Sequence, residues 1–254
     1  MIDDYRELAD ARLLRERGLF VAEGRFVVRR VIDDPRYTIH SLLLNDAAHR
    51  DLGDLLDRLP AGTPIHIRSP DEIAAVTGFA FHRGCLALVH RPAAAALDSI
   101  LAAPSPIVLL EDVANPDNVG GVFRNAAAFG AGGIIISPGC CDPLYRKAVR
   151  TSMGAVLGVP YARADDWRAA VERVRRRGFR LVALTPRQPS QPIDEFAPYA
   201  RATRVALAVG AEGTGVSETV DALADAHVRI PIAGEVDSLN LAVAAGIALF
   251  ALRS

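Results

Sequence analysis

The strongest constraint on the fold is an alternation of apolar strands and helical segments that begins at Pro106. The runs "IVLLED", "GGIIIS", "FRLVALT" and "RVALAVG" are almost continuously apolar, and helical patterns separate them. Strands that are apolar on both faces are typical of parallel sheets covered by helices on each side. Residues 106–254 are therefore predicted to form an α/β domain with a parallel sheet. In such sheets ligands bind beyond the carboxyl ends of the strands.

The first part of the chain, residues 1–92, is predicted to be a separate, smaller α/β domain. "RFVVRRVIDD" has the pattern of an amphipathic helix, and "IHSLLLN" and "GCLALVH" have that of strands. In "SPDEIAAVTG" a capping serine precedes a proline at the first helical position. Residues 93–105 are rich in alanine and proline and are interpreted as a linker with about one helical turn.

Composition excludes several classes of protein. Of the 254 residues 50% are hydrophobic, which argues against disorder, and no uncharged apolar run reaches the length of a membrane span. The three cysteines and six histidines show no metal-ligand spacing, so no metal is expected. A soluble, cytoplasmic protein without a membrane partner is expected. The net charge of −1 allows only a local basic patch, not a general positive coat.

Three strand-to-helix loops of the second domain combine glycines with Asn, Glu, Ser or Arg. They are "EDVANPDNVGGVFRNAAAFG", "VGAEGTGVSE" and "IPIAGEVDSLNLAVAAGI". Taken alone, Asn118 and Asn240 have the pattern of helix caps, and "GAEGTG" is compatible with a simple turn. Arg124 is expected among Ala126–Phe129, on the apolar face of its helix. The joint occurrence of these residues on three loops favours a ligand site.

These motifs, in this order and at these distances, resemble the SpoU/TrmH family of RNA ribose 2′-O-methyltransferases in the SPOUT superfamily. The segments "FVAEGRFVVRRVI" and "HRGCLALV" are similar to the ribosomal-protein-like substrate-binding domain of many members. The resemblance implies a C-terminal domain with a deep trefoil knot, S-adenosyl-L-methionine as cofactor and a homodimer with composite active sites. RNA is the implied substrate, and the two-domain layout favours ribosomal RNA over transfer RNA.

The resemblance also implies roles for individual residues. The implied catalytic residues are Arg124, Asn118, Glu212, Ser238 and Asn240. The implied cofactor contacts are Thr185, Gly210, Glu212, Ile230, Ile232, Ser238 and Leu239. Candidate RNA contacts are Arg25, Arg29, Arg146 and Arg150. Three positions depart from the common pattern, namely Asn125, Ala211 and Ala242.

A ribose hydroxyl is a poor nucleophile that must be aligned and must lose its proton. Because a guanidinium rarely gives up its proton, the hypothesis favoured here is that Arg124 clamps a neighbouring phosphate and stabilises the developing alkoxide. Glu212 is predicted to order the active-site loop through hydrogen bonds.

Three alternatives remain open at this level. One is a transfer RNA ribose methyltransferase, and another is a non-catalytic RNA-binding protein that keeps the fold. The third is a nicotinamide-dependent oxidoreductase, although "EDVANPDNVGG" lacks the glycine fingerprint that such an enzyme needs.

Overall fold

The chain divides into two compact units in the computed structural model. By contacts, the first unit is Met1–Ala93 together with Leu144–Leu157, and the second is Ala94–Pro143 together with Gly158–Ser254. The structure describes residues 2–6, 8, 11–78, 84–200, 202–234 and 236–253.

The first unit contains a four-stranded sheet in the order β1-β4-β2-β3. β4 pairs antiparallel with both β1 and β2, whereas β3 pairs parallel with β2. Its elements are α1 (Ala11–Glu16), β1 (Leu19–Glu23), α2 (Arg25–Asp33), β2 (Ile39–Leu44), α3 (Asp46–Leu56), β3 (Ile65–Ile67), α4 (Pro70–Thr77) and β4 (Cys85–His90), with a 3-10 turn at Ile2–Tyr5.

Local sequence explains why the helices of this unit begin where they do. The Asn45 side chain accepts from the Ala48 amide and caps α3. At α4 the Ser69 and Glu72 side chains form a reciprocal capping box, with Pro70 at the first helical position, as the sequence predicted. The apolar face of α2 buries Val27, Val28 and Val31.

The segment Leu144–Leu157 packs with the first unit, whereas the sequence analysis placed all of residues 106–254 in the second domain. It contains α7 (Arg146–Thr151) and a 3-10 turn (Ala155–Leu157), and α7 lies against β1. The Arg30 guanidinium donates to the carbonyl of Gly154 at 3.1 Å, and the Tyr37 hydroxyl donates to that of Leu157 at 2.8 Å. Such long-range bonds leave no periodic trace in the sequence.

The second unit contains the predicted parallel sheet, here with seven strands in the order β7-β6-β5-β10-β8-β11-β9. Every described pairing in it is parallel. Its elements are α5 (Leu97–Ala102), β5 (Ile107–Leu110), α6 (Pro116–Ala128), β6 (Gly133–Ile136), β7 (Tyr161–Arg163), α8 (Trp167–Arg176), β8 (Phe179–Leu184), β9 (Gln191–Pro192), α9 (Ile193–Ala200), β10 (Arg204–Val209), α10 (Glu218–Leu223), β11 (Ala226–Arg229) and α11 (Leu241–Leu252).

The central strands are buried on both faces, which is why their sequences are almost continuously apolar. Every residue of β5 and β6 is buried, as are five of the six in β10. α8 covers this core through Ala170, Val171 and Val174. The sheet therefore carries its polar groups at the strand ends, where the loops begin.

α11 and α6 pack closely against each other. A Cβ atom added to Gly121 of α6 would lie 2.6 Å from the Cβ of Ala242, so the helices approach to the point where only glycine fits. The rings of Phe129 and Phe250 meet edge to face at 5.8 Å between centroids. One face of α11 is buried, but Val243 and Phe250 on the other face are half exposed.

All three cysteines are free, and burial raises the pKa of Cys85 to about 12 and that of Cys141 to about 11, so neither thiol ionises readily at neutral pH. Within the described part of the chain, no helix combines the length and the apolarity needed to cross a bilayer.

Candidate active site

A cavity of about 400 Å³ lies at the carboxyl ends of the neighbouring strands β10, β8 and β11. This volume is in the range of small-molecule and cofactor sites. Three stretches of chain enclose it, and the described lining residues are Leu184–Arg187 from the end of β8 onward, Val209–Gly213 and Gly215 from the end of β10 onward, and Ile230, Ile232, Ser238–Leu241 and Ala244 after β11.

The loop after β10 turns back on itself at very close range. A Cβ atom on Gly210 would lie 2.1 Å from the carbonyl carbon of Gly215 and 2.3 Å from the amide nitrogen of Val216. The Gly215 amide donates to the carbonyl of Ala211 at 2.8 Å, which closes the turn. Gly213 and Gly215 both have positive φ. The glycines of "GAEGTG" therefore form a tight turn that presents Glu212 at the cavity.

A buried carboxylate fixes the far end of the same loop. Glu111 follows β5, is only 3% exposed, and accepts hydrogen bonds from the Ser217 amide at 2.8 Å and the Ser217 hydroxyl at 2.6 Å. Ser217 in turn caps α10 through the Val220 amide. Glu111 thus ties the loop to the neighbouring strand.

Three polar side chains from the three motifs meet in one hydrogen-bonded chain. The Asn240 amide nitrogen donates to Asn118 Oδ1 at 2.9 Å and to Glu212 Oε1 at 3.3 Å, while Asn240 Oδ1 accepts from the amides of Ala242 and Val243. Asn240 therefore caps α11 and joins both other motifs at once.

Asn118 contributes a buried donor with nothing to bind. It is 3% exposed, and its amide nitrogen has no partner among the described residues. A buried unsatisfied donor costs free energy and is rare in native proteins. Its place beside Asn240 makes it a candidate contact for a ligand at this site.

The start of α6 differs from the predicted cap, whereas the start of α11 agrees with it. Asn115, not Asn118, caps α6, and Pro116 occupies its first position, so Asn118 lies within the first turn. Asn240 caps α11, whereas Ser238 lies two residues before the cap and lines the cavity. The sequence signal for the cap at Asn115 is the stretch "NPD". An asparagine precedes a proline there, and proline suits the first position of a helix.

Arg124 lies on the exposed side of α6, so the expectation that it sits on an apolar face was wrong. The buried side of the helix is formed by Val119, Val122, Phe123 and Ala126 with Asn118. Ala127 and Ala128 are exposed beside the arginine. Within the described parts of the chain, Arg124 makes no hydrogen bond or ion pair, which leaves its guanidinium available to a substrate.

All seven predicted cofactor contacts line the cavity. Their role stays a prediction, but their chemistry suits S-adenosylmethionine. Ile230, Ile232 and Leu239 offer apolar surface to an adenine ring, and Glu212 offers a negative charge to a sulfonium. Two of the three departures from the family pattern, Asn125 on α6 and Ala242 on α11, are hydrogen-bonded to each other. Asn125 Nδ2 donates to the carbonyl of Ala242 at 2.6 Å.

The four predicted RNA contacts all belong to the first unit. Arg25 and Arg29 are part-exposed on α2, and each lies 3.8 Å from the carboxylate of Asp51. Arg146 and Arg150 of α7 approach the buried carboxylate of Glu23 at 3.4 Å and 3.9 Å.

Sequence reasoning missed two residues that shape the site. Glu111 opens the first motif loop, but its partner Ser217 is 106 positions away, so the sequence does not indicate its role. Arg187 lines the cavity and donates to the carbonyl of Thr214 at 2.6 Å, yet it was not singled out from the chain's other arginines. For Arg187 the available signal was its position three residues beyond a buried strand.

A parallel sheet with loop-built polar groups at its carboxyl edge defines an α/β ligand-binding domain, and comparisons with known proteins narrow that class. Residues 105–250 match the model of the SpoU rRNA Methylase family. A Mycobacterium tuberculosis protein named an uncharacterized tRNA/rRNA methyltransferase is 39% identical, over 98% of this chain and 87% of its own.

Two further relatives extend over nearly the whole chain. The 23S rRNA (guanosine(2553)-2'-O)-methyltransferase RlmP of Bacillus subtilis is 26% identical, over 99% of this chain and 95% of its own. The crystal structure of an AdoMet-bound rRNA methyltransferase from Sinorhizobium meliloti gives a TM-score of 0.84 at 27% identity, over 99% of this chain and 93% of its own.

The chain belongs to the SpoU rRNA methylase family. The family and the enzyme class predicted from the motifs, an RNA methyltransferase, are thereby confirmed. The predicted methyl donor agrees with the AdoMet-bound state of the Sinorhizobium meliloti structure.

Proposed function

We propose that this protein transfers a methyl group from S-adenosylmethionine to the 2′-hydroxyl of a ribose in ribosomal RNA, in the cytoplasm. The observation that carries the proposal is the hydrogen-bonded chain Asn118–Asn240–Glu212 at the donor cavity, with an unsatisfied buried donor on Asn118. The names of the relatives support it, since one acts at a 2′-O position of 23S rRNA.

The cavity residues would hold the donor between an apolar wall and a charged loop. S-adenosylmethionine, when bound, supplies an electrophilic methyl group whose leaving group departs neutral. Ile230, Ile232 and Leu239 would pack on its adenosine part, and the Glu212 carboxylate would face its positive charge. Because Glu111 anchors the loop at Ser217, the position of Glu212 is set before the donor arrives.

Arg124 would act on the acceptor. Its guanidinium is exposed, and no described residue engages it, so it can bind an RNA phosphate in a bidentate manner and bring the neighbouring ribose hydroxyl to the cavity. The positive charge would stabilise the developing alkoxide, and the phosphate or a water would take the proton. The orphan donor of Asn118 would complete the polar surroundings of the reacting atoms.

The test is a map of ribose methylation across total RNA from cells with and without the protein. One 2′-O-methyl group in ribosomal RNA is expected to disappear, and the purified protein with labelled S-adenosylmethionine is expected to restore it. Loss of a methyl group in transfer RNA would favour the alternative substrate. Donor binding without any methyl transfer would favour a non-catalytic RNA-binding protein.

The RNA would be held by the first unit. Arg25 and Arg29 on α2 and Arg146 and Arg150 on α7 place four guanidinium groups near the carboxylates of Asp51 and Glu23, where they can meet a phosphate backbone. Phe26 lies beside them, 58% exposed, at a shallow cavity that Met153 also lines. Exposed aromatic rings among arginines are suited to stacking on unpaired bases.

Replacing Arg29 by alanine is expected to weaken RNA binding and to make the slope of log K against log[salt] shallower by roughly 0.7–0.9, as for one phosphate contact. Phe26→Ala is expected to lower affinity without changing that slope, because stacking releases no counterions. Titrations at several salt concentrations measure both effects. Arg168, exposed on α8 and paired with Glu172, provides the control substitution Arg168→Ala. An unchanged slope for Arg29→Ala would contradict the assignment.

We further propose that the enzyme is a homodimer that pairs through α11, and that its chain forms the trefoil knot implied by the resemblance. Val243, Ile247 and Phe250 form an exposed apolar stripe along one side of this helix. Apolar side chains at this spacing normally face a partner. The return of α11 onto α6 beside the cavity supports the knotted path. Sedimentation equilibrium tests the dimer, and single-molecule pulling tests the knot.

A further inference from the structure

Among the described residues that line the donor cavity, one carries a positive charge and one a negative charge. They are Arg187 and Glu212, on the loops after β8 and β10. Asn240 holds the carboxylate of Glu212. The cavity therefore has a negative charge on one loop and a positive charge on another. The positive side chain, Arg187, has no role in the function proposed above.

The guanidinium of Arg187 is held in place at both ends of its side chain. The Arg187 amide donates to Thr185 Oγ1 at 3.1 Å, which fixes the backbone, and Nη2 donates to the carbonyl of Thr214 at 2.6 Å, which fixes the head group. The head group lies over Gly215, where an added Cβ would be 3.9 Å from Nη2.

Most of the hydrogen-bonding capacity of this guanidinium is unused. A guanidinium has five N–H donors in a planar fork that suits a carboxylate. One hydrogen bond from the Arg187 side chain, the one to Thr214, is found in the described structure. The remaining donors are open to a ligand that enters the cavity.

S-adenosylmethionine carries one anionic group, the carboxylate of its methionine part, and placing it in a cavity without a counter-charge is unfavourable. We infer that Arg187 binds this carboxylate and makes the enzyme selective for donors that keep the amino-acid group. The inference rests on the proposed function. The place of Arg187 in the same lining as Gly210 and Ile230 favours the donor over an RNA phosphate as its ligand.

The experiment is a ligand-by-variant comparison by calorimetry. Wild-type protein, Arg187→Ala and Arg187→Lys are each titrated with S-adenosylmethionine and with its decarboxylated form. Arg187→Ala is expected to weaken binding of S-adenosylmethionine about tenfold and to change binding of the decarboxylated form less than about twofold. Lysine, which keeps the charge without the fork, is expected to fall between wild type and alanine. Arg168→Ala is the control for removal of an exposed arginine from the same unit.

The outcomes separate this inference from the function on which it rests. An equal loss for both ligands would overturn it, because Arg187 would then support the loop through Thr214 only. Unchanged affinity of Arg187→Ala for S-adenosylmethionine would overturn it as well. In both cases methyl transfer by the wild-type protein would leave the proposed function intact. A wild-type protein that binds neither ligand would overturn both.

Discussion

Replacing Arg124 by alanine is expected to lower kcat for RNA methylation by roughly 10²- to 10³-fold, the usual cost of removing one group that stabilises developing negative charge. The side chain is exposed and makes no hydrogen bond or ion pair with the described residues, so its removal leaves folding intact. It does not line the donor cavity, so affinity for S-adenosylmethionine is expected to stay near that of wild type. Single-turnover kinetics with saturating donor and RNA measure the chemical step.

The lysine variant tests whether Arg124 acts through its positive charge. If the guanidinium clamps a phosphate and stabilises the alkoxide, Arg124→Lys keeps a positive charge and is expected to retain measurable turnover, weaker because the bidentate fork is lost. A lysine variant that binds RNA normally and has no activity would contradict the clamp. Arg168→Ala on α8 serves as the control, because the ion pair of that arginine within the described residues is with Glu172 of its own helix.

The sequence predicted the sheet well because a strand that is buried on both faces consists almost entirely of apolar residues. β5, β6, β8 and β10 are all nearly continuous apolar runs, and such runs favour parallel pairing under helices. The place of the site followed from the same reasoning, since loops at the carboxyl ends of neighbouring parallel strands must converge. All three motif loops contribute to the Asn118–Asn240–Glu212 chain.

What the sequence did not predict depends on contacts between distant residues. Leu144–Leu157 joins the first unit through bonds such as that from Arg30 to Gly154, across 124 positions. The exposed place of Arg124 on α6 depends on which side of the helix meets α11, and a short alanine-rich helix offers little periodic contrast from which to infer it. In the sequence Arg187 resembles the chain's other arginines, and its place in the cavity lining becomes evident in the folded structure.

Replacing Gly210 by alanine is expected to lower affinity for S-adenosylmethionine at least roughly tenfold and to lower Tm by roughly 2–10 °C, from overpacking that costs about 1–3 kcal/mol. The added Cβ would lie 2.1 Å from the carbonyl carbon of Gly215 and 2.3 Å from the amide nitrogen of Val216. These neighbours are backbone atoms, so no side-chain rotation relieves the clash and the turn itself must open.

Opening that turn would disturb the site at two points. Glu212 lies inside it, 3.3 Å from the Asn240 amide nitrogen, and Ser217 is tied to the buried Glu111 at its far end. The loop therefore cannot shift as a whole, and the strain must fall on the hydrogen bond between Glu212 and Asn240. Calorimetry with the donor and thermal unfolding measure the two effects. Gly53→Ala in α3, where an added Cβ meets no atom within 4 Å beyond its own helix backbone, is the control for donor affinity. A Gly210→Ala variant with wild-type donor affinity would show that the turn after β10 does not shape the donor cavity.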